Sequence, residues 1–148
     1  MKSEEMKLKI EALPINESFS RSTVAAFCSR LNPTVEEIGD IKTAVSEAVT
    51  NSIVHGYEYR GGIIDITAVL KGREIIIRIT DYGKGIKDIE GARQPFFTTL
   101  PEEERSGMGF TVMETFMDEL TVESELGKGT TVTLKKYLKT DKASITDA

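Results

Sequence analysis

A chain of 148 residues is long enough for one domain with its own core, and its 39% hydrophobic and 29% charged residues predict a soluble, globular protein. The net charge of −5 argues against direct nucleic-acid binding, and the single cysteine, Cys28, excludes an internal disulfide and is expected to be buried. There is neither a signal peptide nor an apolar run long enough to span a membrane, so we expect a cytoplasmic protein without a membrane partner.

The first stretch of the chain predicts one strand and two helices. Residues 6–13 alternate between apolar and polar side chains as a strand does, and Asn16 is expected to cap a helix over residues 17–31. A capping box of Thr34 with Glu37 begins the next helix, which is predicted to end at a glycine. Its buried face is expected to consist of apolar side chains at helical spacing: Ile41, Val45, Ala48, Val49 and Ile53.

The remaining chain predicts two β-hairpins, a long loop and a short helix. The hairpin arms are the following alternating stretches: residues 63–70 with 74–80, and residues 120–124 with 130–138. Residues 81–106 lack periodicity and are expected to be either a functional lid or a disordered loop, followed by a helix over residues 110–118. This order predicts one α/β (α+β) domain over residues 1–139, a two-layer α/β sandwich with helices on one face of a mixed, mostly antiparallel sheet, and a polar tail over residues 140–148.

Three polar side chains follow one another on the second predicted helix. Glu47, Asn51 and His55 lie four residues apart and should share a face. This pattern is typical either of a solvated stripe or of a site in which Asn51 offers an oxygen to Mg²⁺ and Glu47 accepts a proton or positions a hydroxyl. We interpret His55 either as a base or phosphate acceptor, or as a residue that makes a structural hydrogen bond at the helix end.

Glycine-spaced loops follow this helix in the order that a nucleotide site needs. Asp81, at the end of a predicted strand, is expected either to form a turn or to accept a hydrogen bond from the exocyclic amine of adenine. Gly83 and Gly85 would let the backbone approach a base. Gly107 and Gly109 precede a helix, where they form either an ordinary helix-entry turn or a phosphate site made of backbone N–H groups.

Together these residues resemble the motifs of the GHKL superfamily, which includes gyrase-type topoisomerases, heat-shock protein 90, histidine kinases and MutL. Residues 47–56 resemble its N box, an E-x-x-x-N-x-x-x-H-G pattern, and residues 81–85 resemble its G1 box. Residues 95–97, a Pro-Phe-Phe segment, resemble the F box of histidine kinases, residues 107–109 resemble the G2 box, and Thr130 matches a late threonine. The motifs occur in the order found in that superfamily and span nearly the whole chain.

The resemblance implies an ATP or ADP site with Mg²⁺, in which Glu47 is catalytic and Asn51 is the metal ligand. It also implies that the nucleotide contacts a larger set of residues: Asn51, His55, Asp81, Gly83, Gly85, Ile86, Thr98, Thr99, Arg105, Ser106, Gly107, Met108, Gly109 and Thr130. Residues 91–106 end at the G2 box, and Arg105 is expected either to hold a phosphate or to be solvated. We therefore predict that this segment is a lid ordered by the γ-phosphate of ATP.

Within the superfamily, the compact length and the Glu-Ala-Val-Thr-Asn and His-Gly-Tyr segments most closely resemble the anti-sigma factor serine kinases. This resemblance implies a homodimer that holds a sporulation sigma factor inactive and phosphorylates a serine on an anti-anti-sigma factor. Two alternatives stay open at this point. One is a binding module whose nucleotide only controls partner affinity, and the other is a detached histidine-kinase ATPase domain that phosphorylates histidine on another protein.

Overall fold

The computed structural model describes residues 2–94 and 109–139. The strands and helices of this part are, in chain order, β1 (Ser3–Glu11), α1 (Ile15–Cys28), α2 (Val35–Asn51), β2 (Ile63–Lys71), β3 (Glu74–Asp81), α3 (Ile89–Ala92), α4 (Gly109–Phe116), β4 (Glu119–Glu125) and β5 (Gly129–Tyr137). A 3₁₀ turn, Ser29–Leu31, continues α1, and a π-helical turn, Ser52–Gly56, continues α2. The short α3 lies in the stretch expected to be a loop, while the predicted F box, most of the predicted lid and the polar tail fall outside the described residues.

The strands form one sheet in the order β1-β2-β3-β5-β4, and each of its pairings is antiparallel. Both predicted hairpins are present, as β2 with β3 and β4 with β5. α1 packs against α2, α2 also packs against α4, and the buried core lies between these helices and the sheet. The predicted two-layer α/β sandwich is therefore confirmed, and its sheet is antiparallel throughout the described residues.

Strand alternation decides which face of the sheet meets the helices. In two of the three inner strands the buried apolar side chains occupy alternate positions: Ile64, Ile66, Ala68 and Leu70 in β2, and Ile75, Ile77 and Ile79 in β3. Cys28 is buried as expected, and burial raises the pKa of its thiol to about 12, so the group stays protonated and unreactive. Within the described ranges, every helix is too short or too polar to cross a membrane.

The helix α2 forms as its sequence predicts. Thr34 and Glu37 make the predicted capping box, in which the Thr34 hydroxyl accepts from the Glu37 N–H and the Glu37 carboxylate accepts from the Thr34 N–H. All members of the predicted apolar stripe are buried. The helix widens at its end, where the Tyr57 N–H donates to the Ser52 carbonyl at 2.9 Å, and the widened turn ends at Gly56.

The prediction that Asn16 caps α1 is wrong. The helix begins at Ile15, and Pro14 occupies the cap position with φ of −51° and ψ of −35°. Because the proline ring already holds φ near the helical value, the helix starts earlier than the asparagine pattern suggested. Asn16 lies inside the first turn, and its side-chain amide donates to the Glu11 carbonyl at 2.8 Å, which ties the helix to the end of β1.

Glu37 also joins α2 to the end of the sheet. Its side chain is nearly buried, and its second carboxylate oxygen accepts from the Lys139 N–H at 2.9 Å, just beyond β5. Burial alone would raise the pKa of this carboxyl, but the hydrogen bonds from Thr34 and Lys139 outweigh burial and bring the pKa below its ordinary value of 4.5. The ionised form of Glu37 therefore stabilises the fold.

We predict that Glu37→Gln lowers the free energy of unfolding at pH 7 by about 1–2 kcal/mol, because an amide cannot accept both backbone hydrogen bonds as the carboxylate does. Because the pKa of Glu37 is lower in the folded state, its carboxylate contributes fully to the free energy of unfolding at pH values above the unfolded-state pKa. This contribution is lost as the pH falls through the folded-state pKa. Urea unfolding at pH 7 and at about pH 3 measures both effects. Glu36→Gln is the control, since it makes the same charge change at an exposed neighbour; equal losses in both variants would contradict the prediction.

Candidate functional site

A cleft of about 440 Å³ opens where the end of α2, the loop after β3, the start of α4 and the β4–β5 turn meet. This volume suits a small-molecule ligand. Most of the surface that its walls expose is apolar. The apolar lining residues are Ala48, Ile86, Ala92, Phe110, Leu126 and Val132. The polar and charged lining residues are Asn51, Ser52, His55, Asp81, Lys84, Lys87, Asp88 and Thr130, and Gly56, Gly85 and Gly109 supply backbone.

Asp81 is the acidic group of this cleft that is removed from water, with only 4% of its surface exposed. Burial raises the pKa of its carboxyl, and hydrogen bonds from the Gly83 N–H, the Ser52 hydroxyl and the Thr130 N–H offset only part of that rise. The Gly83 N–H lies 3.0 Å from Oδ1. A carboxylate has about four lone-pair directions, so these three donors leave one for a further donor.

The loop after β3 is held against two neighbouring segments by its backbone. The Lys84 N–H donates to the Gly56 carbonyl at 2.9 Å, and the Gly127 N–H donates to the Lys84 carbonyl at 2.8 Å. Gly85 has a φ of +78°, and a Cβ there would lie 2.2 Å from the carbonyl oxygen of Glu125. A glycine at this position is therefore required by the fold itself, and its contact with a base stays a prediction, as does that of Gly83.

Of the three polar residues predicted to share a face of α2, two line the cleft and Glu47 does not. Asn51 and His55 line it, and a Cβ at Gly109 would lie 3.0 Å from Asn51 Oδ1, so the start of α4 lies directly against the asparagine amide. Glu47 is half-buried one helical turn before Asn51 and is not among the cleft-lining residues in the described part of the chain. Residues 2–94 and 109–139 hold no group of three His, Cys, Asp or Glu side chains suited to a metal ion.

Thr130 is buried, lines the cleft and faces Asp81 across the β3–β5 pairing. Its hydroxyl oxygen lies 2.7 Å from the hydroxyl oxygen of Ser124, which belongs to the neighbouring strand β4. The Ile86 N–H also donates to Ser124 Oγ, at 2.7 Å. Of the residues expected to bind the nucleotide, Asn51, His55, Asp81, Gly85, Ile86, Gly109 and Thr130 thus come together in one cleft.

Sequence reasoning missed two serines at this site. Ser52 bonds to Asp81, and Ser124 bonds to Thr130 and Ile86. Both serines occupy inward-facing positions: Ser52 lies one helical turn after the buried Ala48, and Ser124 lies two residues after the buried Val122 on the same face of β4. The signal available in the sequence was a polar residue at a position where the pattern predicts a buried side chain. Six residues expected to contact the nucleotide lie outside the described residues: Thr98, Thr99, Arg105, Ser106, Gly107 and Met108.

Known proteins of one family resemble this chain over nearly its whole length. The family model described as "Histidine kinase-like ATPase domain" matches residues 10–136. The anti-sigma F factor of Thermoanaerobacter pseudethanolicus is 62% identical over 137 residues, which is 93% of this chain and 96% of that protein. The anti-sigma F factor of Clostridium acetobutylicum is 57% identical over 136 residues, or 92% and 95% of the two chains. That of Geobacillus sp. (strain WCH70) is 58% identical over 140 residues, or 94% and 96%. The chain therefore belongs to the histidine kinase-like ATPase domain family and, within it, to the family of the anti-sigma F factors.

Proposed function

We propose that the chain is an anti-sigma factor and an ATP-dependent protein serine kinase, which sequesters a sporulation sigma factor and phosphorylates a serine on an anti-anti-sigma factor. The observation that carries the nucleotide part is the buried Asp81 carboxylate at an otherwise mostly apolar cleft. An acceptor in such a place selects a flat apolar ring that bears a donor, and adenine with its exocyclic amine has that chemistry. The sigma-factor part is supported by the anti-sigma F factors that resemble this chain over nearly its whole length.

The phosphates and Mg²⁺ would lie toward Asn51 and the start of α4. In this proposal Asn51 would hold Mg²⁺ through its amide oxygen, and the ion would supply positive charge beside the phosphates. Glu47, one helical turn away, orients the serine hydroxyl of the partner and accepts its proton as the serine oxygen bonds to the γ-phosphorus and the bond to ADP breaks. That residues 91–106 form a lid ordered by the γ-phosphate stays a prediction, since most of them lie outside the described residues.

The exposed surface of the chain supports the partner part of the proposal. Three large apolar side chains near the start of α1 are solvent-exposed: Leu13 at 43%, Ile15 at 79% and Phe19 at 53%. A cluster of this kind is typical of a protein–protein contact. For the proposed homodimer, β1 offers an outer edge that pairs with no other strand in the described residues. Antiparallel pairing of two such edges can set Glu5 against Lys7 or Lys9 of a second copy.

We predict that Asp81→Asn weakens ATP binding about 10–100-fold and reduces the preference for ATP over GTP, because an amide presents a weaker acceptor or a competing donor to the adenine amine. Calorimetric titration with each nucleotide in Mg²⁺ measures both affinities. Asp65→Asn is the matched control, since this partly exposed carboxylate on β2 is not among the cleft-lining residues of the described chain. Unchanged discrimination between ATP and GTP in Asp81→Asn would refute the assignment of Asp81.

We predict that Glu47→Gln keeps ATP affinity but slows phosphate transfer roughly 10²–10⁴-fold, the usual effect of losing a general base. Single-turnover transfer from γ-labelled ATP to the anti-anti-sigma factor gives the rate. Glu36→Gln, an exposed glutamate on the same helix, should transfer at the wild-type rate.

The chemical nature of the labelled product tests the reaction class. Phosphate on serine survives acid, whereas phosphate on histidine does not. An acid-labile product would contradict the serine kinase proposal, and an undiminished rate in Glu47→Gln would remove Glu47 from the mechanism.

A further inference from the structure

Ser124 has three close polar neighbours, and their chemistry fixes where its proton goes. The Ile86 N–H, 2.7 Å away, can only donate, and the Gly129 carbonyl, 3.0 Å away, can only accept. The single Ser124 hydroxyl proton is therefore directed to Gly129. The third neighbour is the Thr130 hydroxyl at 2.7 Å, and that bond can form only if Thr130 is the donor. All three hydrogen bonds are satisfied in this arrangement and in no other.

The consequence for Thr130 is that its own hydroxyl proton is committed to Ser124. What remains on Thr130 Oγ1 is lone-pair density, so beside the Asp81 carboxylate this cleft-lining hydroxyl can only accept. We propose that Ser124 is a positioning residue for base selectivity, which directs the Thr130 hydroxyl proton away from the cleft and so keeps this part of the cleft an acceptor of hydrogen bonds. The inference rests on the proposed nucleotide site and deepens it.

The same serine also places one wall of the cleft, because its bond to the Ile86 N–H joins the loop after β3 to strand β4. The loop keeps a second attachment, from the Gly127 N–H to the Lys84 carbonyl, so removing the Ser124 hydroxyl should not release the loop. Ser124 is half-buried, and alanine leaves no large cavity there. A folded Ser124→Ala variant is therefore expected, and urea unfolding checks it.

The test compares ATP with inosine triphosphate, which carries a carbonyl where ATP carries its amine. In Ser124→Ala the Thr130 proton is no longer held, and the hydroxyl can turn to donate to the carbonyl. We expect the ratio of ATP to inosine triphosphate affinity to fall about tenfold, chiefly because inosine triphosphate gains a hydrogen bond. Ser124→Thr, which keeps the hydroxyl, should retain the wild-type ratio. Ser20→Ala, which removes a buried hydroxyl from α1, should retain it as well.

A double-mutant cycle separates positioning from a structural effect. In a Thr130→Val background there is no hydroxyl to redirect, so adding Ser124→Ala should leave the affinity ratio unchanged. Equal weakening of both nucleotides in Ser124→Ala, or the same change in ratio with and without the Thr130 hydroxyl, would overturn the inference while leaving the proposed nucleotide site intact. If the wild-type chain bound neither nucleotide, the proposed function itself would fail, and this inference with it.

Discussion

A carboxylate that has lost nearly all contact with water needs hydrogen-bond donors. Asp81 obtains them from three segments that lie far from one another in the sequence. Ser52 comes from the π-helical turn after α2, Gly83 from the loop after β3, and Thr130 from strand β5. Leaving one such group unsatisfied typically costs about 1–3 kcal/mol, so these segments are held in one arrangement. The positions of the π-helical turn and of the loop after β3 both depend on this group.

The same constraint gives the cleft its chemistry. Donors from the protein do not fully compensate the burial of Asp81, and its pKa stays raised. A ligand that brings one more donor stabilises the charged form, and the neighbouring Thr130 hydroxyl, held by Ser124, adds a second acceptor. In the proposed nucleotide site these acceptors meet an amine-bearing ring, and apolar lining side chains such as Phe110 and Val132 exclude water around it.

Local patterns explain which features could be predicted from sequence. The capping box of α2 and both hairpins depend on residues close in the chain, and all were predicted. Asn16 was assigned wrongly because Pro14 starts the helix earlier, which is a competition between two local signals. Ser52 was missed because its partner Asp81 is distant in the sequence. Ser124 was missed because its partner Thr130 lies on the neighbouring strand, and secondary-structure propensities do not predict which residues of two strands face each other. The widening of α2 into a π turn likewise had no sequence signal.

In the proposed nucleotide site the Asp81 carboxylate accepts a hydrogen bond from the exocyclic amine of adenine. Calorimetric titration of the wild-type chain with ATP and with purine riboside triphosphate in Mg²⁺ tests it most directly, since the second ligand lacks only that amine and adds no bulk. We expect ATP to bind at least about tenfold more tightly than purine riboside triphosphate. Equal affinities for the two nucleotides would contradict it.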